Sequence, residues 1–129
     1  MTKRVLVVED NELNLKLFCD VLRAHGFDAL GEKDAREAVG RATLFAPDVI
    51  VLDIQMPHMS GFELIEAIRR DVVLRRIPIM AVTAYAGRGD EERIRDAGAD
   101  AFVSKPVALR PFMEAVQGLV ALAESRALV

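Results

Sequence analysis

Cysteine occurs once in the 129 residues, as Cys19, so no intramolecular disulfide framework can brace this chain. Histidine occurs twice, and His25 and His58 lack the spacing of a metal-ligand pair, so both read as surface or loop residues. No apolar run approaches the ~20 residues that a membrane-spanning helix needs. Basic residues are not in excess: 17 Lys and Arg stand against 20 Asp and Glu, a net charge of −3, which argues against a nucleic-acid-binding surface. Met1-Thr2-Lys3-Arg4 leads straight into a strand-like segment without a signal-peptide pattern, and no Pro/Gly/Ser-rich linker or internal repeat interrupts the chain. What remains is 52% hydrophobic and 29% charged, a globular composition. A chain of this size buries roughly two thirds of its unfolded surface. The expectation is one cytoplasmic domain with a core of about residues 3–123, no output domain, and only Glu124 to Val129 left over.

Short apolar runs alternate with helical stretches. The runs are Val5-Leu6-Val7-Val8, a weak Ala29-Leu30, Val49-Ile50-Val51-Leu52, Ile79-Met80-Ala81-Val82 and Ala101-Phe102-Val103. Continuous rather than alternating apolar character predicts strands covered on both faces, as in a parallel sheet. Between them the period becomes helical. Leu17, Phe18, Val21 and Leu22 share one face of the first helix, with Cys19 near its polar border as a non-catalytic thiol and Asn14 as a satisfied amide. Asp34 with Glu37, and Ser60 with Glu63, read as capping boxes opening the second and third helices. The fourth, Asp90 to Ala97, has one large apolar residue, follows Gly87 and Gly89, and is expected to be short and weakly anchored, stopping at Gly98. Leu109, Phe112, Met113, Val116, Leu119, Val120 and Ala123 form the stripe of the last, which Gly118 weakens. The fold class is therefore α/β, a doubly wound five-stranded parallel sheet in the order 2-1-3-4-5 with five helices.

In such sheets ligands bind beyond the carboxyl ends of the strands. Glu9 and Asp10 follow strand one, Asp53 ends strand three, Thr83 ends strand four, and Ser104-Lys105-Pro106 ends strand five. Taken singly, each has an ordinary structural role: a solvated strand end, a turn residue before Pro57, a backbone-bonded hydroxyl, an exposed turn lysine. Their arrival at one end of the sheet is what points to chemistry. Three carboxylates repel one another, and an oxygen-only donor set suits a hard divalent cation, with Mg²⁺ first. Asp53, centred among the strands, is then the nucleophile, and Lys105 and Thr83 supply a cation and a hydroxyl donor for a phosphoryl group upon it. Two other classes fit less well. A haloacid-dehalogenase-type phosphohydrolase would carry a second aspartate where Gln55 stands, and a dinucleotide or flavin binder would have glycines where the acidic Glu9-Asp10-Asn11-Glu12 stands.

With those residues in place, the sequence resembles the receiver domains of two-component response regulators, flavodoxin- and CheY-like in fold, over roughly Lys3 to Ala123. Val8-Glu9-Asp10-Asn11, Asp53-Ile54-Gln55-Met56-Pro57, Val82-Thr83-Ala84 and Ser104-Lys105-Pro106 carry the resemblance. It implies that Asp53 accepts phosphate from a histidine kinase or phosphotransferase. It implies a Mg²⁺ ion, for which Mn²⁺ can substitute, held by Glu9, Asp10, Asp53 and the backbone carbonyl of Gln55, with Glu9 acting through water. It also implies a cis Lys105–Pro106 peptide, a switch through Thr83 and Phe102, and partner docking on the helix 4, strand 5, helix 5 face, with the protein a monomer or weak dimer. Glu9 to Asn14 and Gly89 to Arg95 further resemble the DivK type of single-domain regulator, which acts in bacterial division and polarity. Gln55 and Tyr85 are candidates to tune phosphoryl lifetime. The pairs Arg69-Arg70 and Arg75-Arg76 read as a solvated face, with kinase docking as the alternative.

Overall fold

Each of the five apolar runs becomes a parallel strand, and each is followed by a helix. The computed structural model describes residues 2–84 and 87–128. In chain order these are β1 Arg4–Val8, α1 Glu12–Ala24, β2 Asp28–Glu32, a 3-10 turn Ala35–Glu37, α2 Ala38–Phe45, β3 Val49–Asp53, α3 Gly61–Arg70, β4 Ile79–Thr83, α4 Arg88–Ala97, β5 Ala101–Ser104 and α5 Leu109–Ala127. The sheet order is β2-β1-β3-β4-β5, as expected, with the weak second strand at an edge. Register aligns the carboxyl ends: Val8 pairs with Leu52, Asp53 with Val82, and Thr83 with Ser104. Among the described residues no helix is long and apolar enough to cross a membrane.

Alternation along the strands builds two cores. Leu6, Val8, Ile50, Leu52 and Ala81 face α2, α3 and α4, where Leu64, Ile65, Ile68 and Ile94 are buried. Val5, Val7, Val51, Met80 and Val82 face α1 and α5 across Phe18, Leu22, Phe112 and Val116. Fully burying an aliphatic or aromatic side chain stabilises the fold by about 1.5–3 kcal/mol, so both faces of the sheet contribute.

Several local details differ from the sequence reading. In α1 the buried residues are Phe18, Cys19 and Leu22, whereas Leu17 is 46% exposed. Phe18 stacks on Phe112 with ring centroids 5.1 Å apart, and Cys19 lies in the same core cluster. Burial raises the thiol pKa of Cys19. The Asp34–Glu37 capping box does not form. Asp34 instead accepts from the backbone N–H and the side chain of Arg36, capping one 3-10 turn, and α2 proper starts at Ala38. The Ser60–Glu63 box does form, with both reciprocal bonds present.

Helix α4 is as long as α3, at 10 residues, and Gly89 lies inside its first turn. Ile94 is 1% exposed, and the Arg93 guanidinium lies 4.0 Å from the Phe62 ring centroid, so two contacts anchor a helix that composition alone makes look loose. Gly98 ends it with φ +120°, and a Cβ there would meet Arg69 at 2.8 Å. Helix α5 runs to Ala127, beyond the expected limit at Ala123, while Leu109 at its start is exposed.

Arg69 is not part of a solvated face. Its guanidinium is half-buried and donates to the carbonyls of Gly98, Arg75 and Ile77 and to Asp100. Asp100 also accepts from the Ile79 amide and from Arg126. One carboxylate thereby joins α3, α5 and the starts of β4 and β5.

Candidate functional site

The strand register delivers the expected polar residues to one place. Glu9 and Asp53 are 1% and 3% exposed, Thr83 is buried, Lys105 is half-buried and Asp10 is exposed. An oxygen from each of Glu9, Asp10 and Asp53 lies within 4.8 Å of the other two. Lys105 Nζ reaches Asp53 Oδ2 at 2.8 Å and Glu9 Oε1 at 3.4 Å. The Lys105 amide donates to the Thr83 carbonyl, and the Lys105–Pro106 peptide is cis.

Asp53 is positioned from both sides. The Gln55 N–H donates to Asp53 Oδ1 at 3.0 Å, and the Gly61 N–H donates to the Ile54 carbonyl at 2.8 Å, docking the start of α3 against the end of β3. A Cβ at Gly61 would sit 2.5 Å from the Asp53 carbonyl oxygen and from Ile54 Cα, so only glycine permits this approach. Sequence reasoning missed Gly61. Its signal is a glycine immediately after an N-cap serine, eight positions beyond the candidate nucleophile.

Asn14 carries more than the sequence reading gave it. One turn into α1, its Nδ2 donates to Glu9 Oε1 at 3.1 Å. Glu9 Oε2 is buried with no hydrogen-bond partner among the described residues. Burial, followed by the adjacent Asp53 carboxyl, pushes the Glu9 pKa up to about 7 against the pull of Asn14 and Lys105. Burial alone would lower the Lys105 pKa, but the bond to Asp53 and the charges of Asp53 and Glu9 outweigh it and raise it. One ammonium does not balance three carboxylates. An orphaned buried carboxylate oxygen beside two more acids, all hard oxygen donors, fits a divalent cation.

A cleft of about 360 Å³ opens beside Asp53, lined in part by Gln55, Met56, Thr83 and Arg93. Gln55 is exposed at this opening, and Tyr85 lies outside the described residues. Phe102 sits on β5 opposite Ala81, on the sheet face it shares with Thr83, half-buried with the Arg95 guanidinium 5.6 Å from its ring centroid. His25 Nδ1 contacts the Val21 carbonyl at the end of α1, and His58 occupies a left-handed loop position at φ +69°; neither is part of the Glu9, Asp10, Asp53 cluster.

The model of the response regulator receiver domain matches residues 5–117. This chain belongs to that family. The receiver is 46% identical to the polar-differentiation response regulator DivK of Brucella ovis over 117 residues, 91% of this chain and 95% of that protein. Against DivK of Brucella anthropi the identity is 45%, with the same coverage. Among solved structures, the chemotaxis protein CheY4 of Vibrio cholerae superposes with a TM-score of 0.88 at 26% identity, covering 92% of this chain and 99% of that one. The receiver domain of a Pseudomonas aeruginosa sensor histidine kinase, solved with a magnesium ion coordinated in its active-site cleft, gives 0.85 at 30% identity and covers 94% and 99%. The receiver is thus a two-component signalling domain, and its acidic cluster lies at the carboxyl ends of the strands.

Proposed function

We propose that this receiver accepts a phosphoryl group on Asp53 from the phosphohistidine of a histidine kinase or phosphotransferase, and signals through phosphorylation-dependent contacts with other proteins. The observation that carries this reading is the 2.8 Å pair between Lys105 Nζ and the nearly buried Asp53 carboxylate, next to a cleft lined by Ile54, Gln55 and Thr83. A carboxylate oxygen of Asp53 attacks phosphorus, the phosphorus–nitrogen bond breaks, and the donor imidazole leaves with its electron pair and is protonated. The product is an acyl phosphate. It adds roughly −1.5 to −2 charges and three acceptor oxygens at neutral pH. Lys105 answers one oxygen with its ammonium, and the Thr83 hydroxyl answers another.

Glu9, Asp10, Asp53 and the Gln55 carbonyl are the residues that would hold Mg²⁺, with Mn²⁺ as a substitute. The ion supplies positive charge that relieves carboxylate repulsion and stabilises the transferring group. Asn14 orients Glu9 for that role. The Pseudomonas receiver that holds magnesium in its cleft supports the choice of metal.

On phosphorylation, Thr83 moves toward the new oxygens, and Phe102 turns into the space behind β4. That change is delivered on the face formed by α4, β5 and α5. The receiver catalyses only its own phosphorylation and dephosphorylation, and Gln55 and Tyr85 set the acyl phosphate lifetime. The 46% identity to DivK supports a role in bacterial polarity and division control.

The test is intact mass spectrometry after incubation with Mg²⁺ and acetyl phosphate. One phosphoryl adduct is expected, lost in Asp53→Asn and on removing the metal with EDTA. Multiple turnover of phosphomonoesters without an adduct would make the protein a phosphohydrolase instead.

A further inference from the structure

The two ends of the sheet carry opposite charge, and each exposes aliphatic side chains. At the end opposite Asp53, the turn between α3 and β4 presents Val72 and Val73, 81% and 68% exposed. The turn is held from within. Asp71 Oδ1 accepts from the N–H groups of Val73 at 2.9 Å and Leu74 at 3.1 Å, the Arg75 N–H donates to the Asp71 carbonyl, and the Leu74 side chain is buried. The valines thus stand on fixed backbone, which lowers the ordering cost of a contact. Arg70 and Arg75 flank them, exposed and without a hydrogen bond or ion pair from their side chains among the described residues. Asp71 is the one acid between Arg69 and Ile77, and its Oδ1 is occupied inside the turn.

At the other end, Glu9, Asp10 and Asp53 face the ammonium of Lys105, and Asp10 is exposed. Just beyond Asp10, α1 exposes Leu13, at 80%, and Leu17 one turn on, side by side on one helix face. Single exposed apolar residues are ordinary. Two pairs of them, one beside surplus positive charge and the other beside surplus negative charge, are complementary patches. Joining like ends would set arginine against arginine or carboxylate against carboxylate, so only unlike ends attract.

We propose that the receiver associates with a second copy of itself head to tail. The α3–β4 turn of one copy docks on the start of α1 of the next, Val72 and Val73 against Leu13 and Leu17, with Arg70 and Arg75 toward Asp10 and its acidic neighbours. Such a contact is heterologous: each pairing leaves one head and one tail free, so copies add in a row instead of closing as a symmetric dimer. The two patches lie at opposite ends of the sheet, so one copy can use both at once. Because charge orients the contact, salt weakens it.

The test is sedimentation velocity of the full chain at low salt, up to millimolar protein, with EDTA present so that the acids keep their charge. The average sedimentation coefficient is expected to rise with concentration past that of a dimer and to fall back to the monomer at high salt. Val72→Asp with Val73→Asp removes the tail, and Leu13→Asp with Leu17→Asp removes the head. Each variant alone stays monomeric, while their equimolar mixture forms a one-to-one complex and stops there, since one supplies the head and the other the tail. All four positions are exposed, so melting temperatures should stay within a few degrees of the parent. Arg75→Glu, which leaves the valines in place, weakens the parent's association at least threefold and carries the test if an aspartate variant fails to fold. The proposal is overturned if the parent stays monomeric throughout, if growth stops at a dimer, if either aspartate variant alone associates like the parent, if the mixture forms no complex, or if Arg75→Glu associates as tightly as the parent.

Discussion

Asn14 Nδ2 holds Glu9 Oε1 at 3.1 Å, tying the first turn of α1 to a carboxylate that ends β1. The amide fixes one Glu9 oxygen, and the other is left buried and without a partner among the described residues. Asn14→Ala is therefore expected to weaken Mg²⁺ binding about tenfold by calorimetry, the lower range for groups that orient metal ligands. The melting temperature of the metal-free protein should move little. Unchanged Mg²⁺ affinity would leave Asn14 a purely structural amide.

Glu9 makes metal-free stability depend on pH. Its pKa rises from 4.5 to about 7 on folding. Between those values the folded state keeps a proton that the unfolded state has released, so stability declines as pH rises through that window and levels off above it. The loss is on the order of 3 kcal/mol. Urea denaturation in EDTA at pH 5 and pH 8 measures it, and Glu9→Gln should flatten the difference by that amount. Mg²⁺, which needs the ionised acids, should stabilise most at the higher pH.

Gly61→Ala brings a methyl group to 2.5 Å from backbone atoms of Asp53 and Ile54, neither of which can yield by rotating. A loss of about 2–3 kcal/mol in denaturant unfolding is expected. Acetyl phosphate should also label Asp53 more slowly, because the peptide that moves is the one carrying the carboxylate. A variant of parental stability and labelling rate would mean that α3 can shift freely.

Phe102→Ala separates phosphorylation from its transmission. Labelling of Asp53 is expected to stay within about twofold of the parent, since Phe102 touches none of the acids. Hydrogen exchange over Gly87 to Ala97 should respond to phosphorylation in the parent and not in the variant. An equal response in both sinks the switch through β5.

Gly118 lies exposed in α5, and a Cβ there meets nothing within 4 Å. Gly118→Ala should stabilise the receiver by about 1 kcal/mol, a rise of a few degrees in melting temperature.

The sheet was legible because its strands are buried on both faces and so read as unbroken apolar runs. The acids, Thr83 and Lys105 were legible because sheet order alone collects strand ends. What escaped depended on contacts distant in sequence or on backbone proximity. Cys19 is buried and Leu17 exposed, on the helix whose Phe18 stacks on Phe112 from the far end of the chain. Arg69 reads as a surface charge until Asp100, 31 positions away, folds beside it. Gly61 matters through a clash with the backbone of β3, which no side-chain pattern announces. Asp34 failed for a local reason, since Arg36 takes the oxygen that a capping box would have offered to Glu37.

The two ends of α4 are held unequally. At one end Arg69 grips the Gly98 carbonyl at 2.9 Å, while Gly87 at the other offers no side-chain cap. A ten-residue helix is about 15 Å long, so a tilt of about 10° around Gly98 carries its first turn about 2.6 Å. The pivot barely stirs. The fulcrum of such a tilt is the Gly98 carbonyl that Arg69 grips, and the far end of the arm reaches the cleft that Thr83 lines.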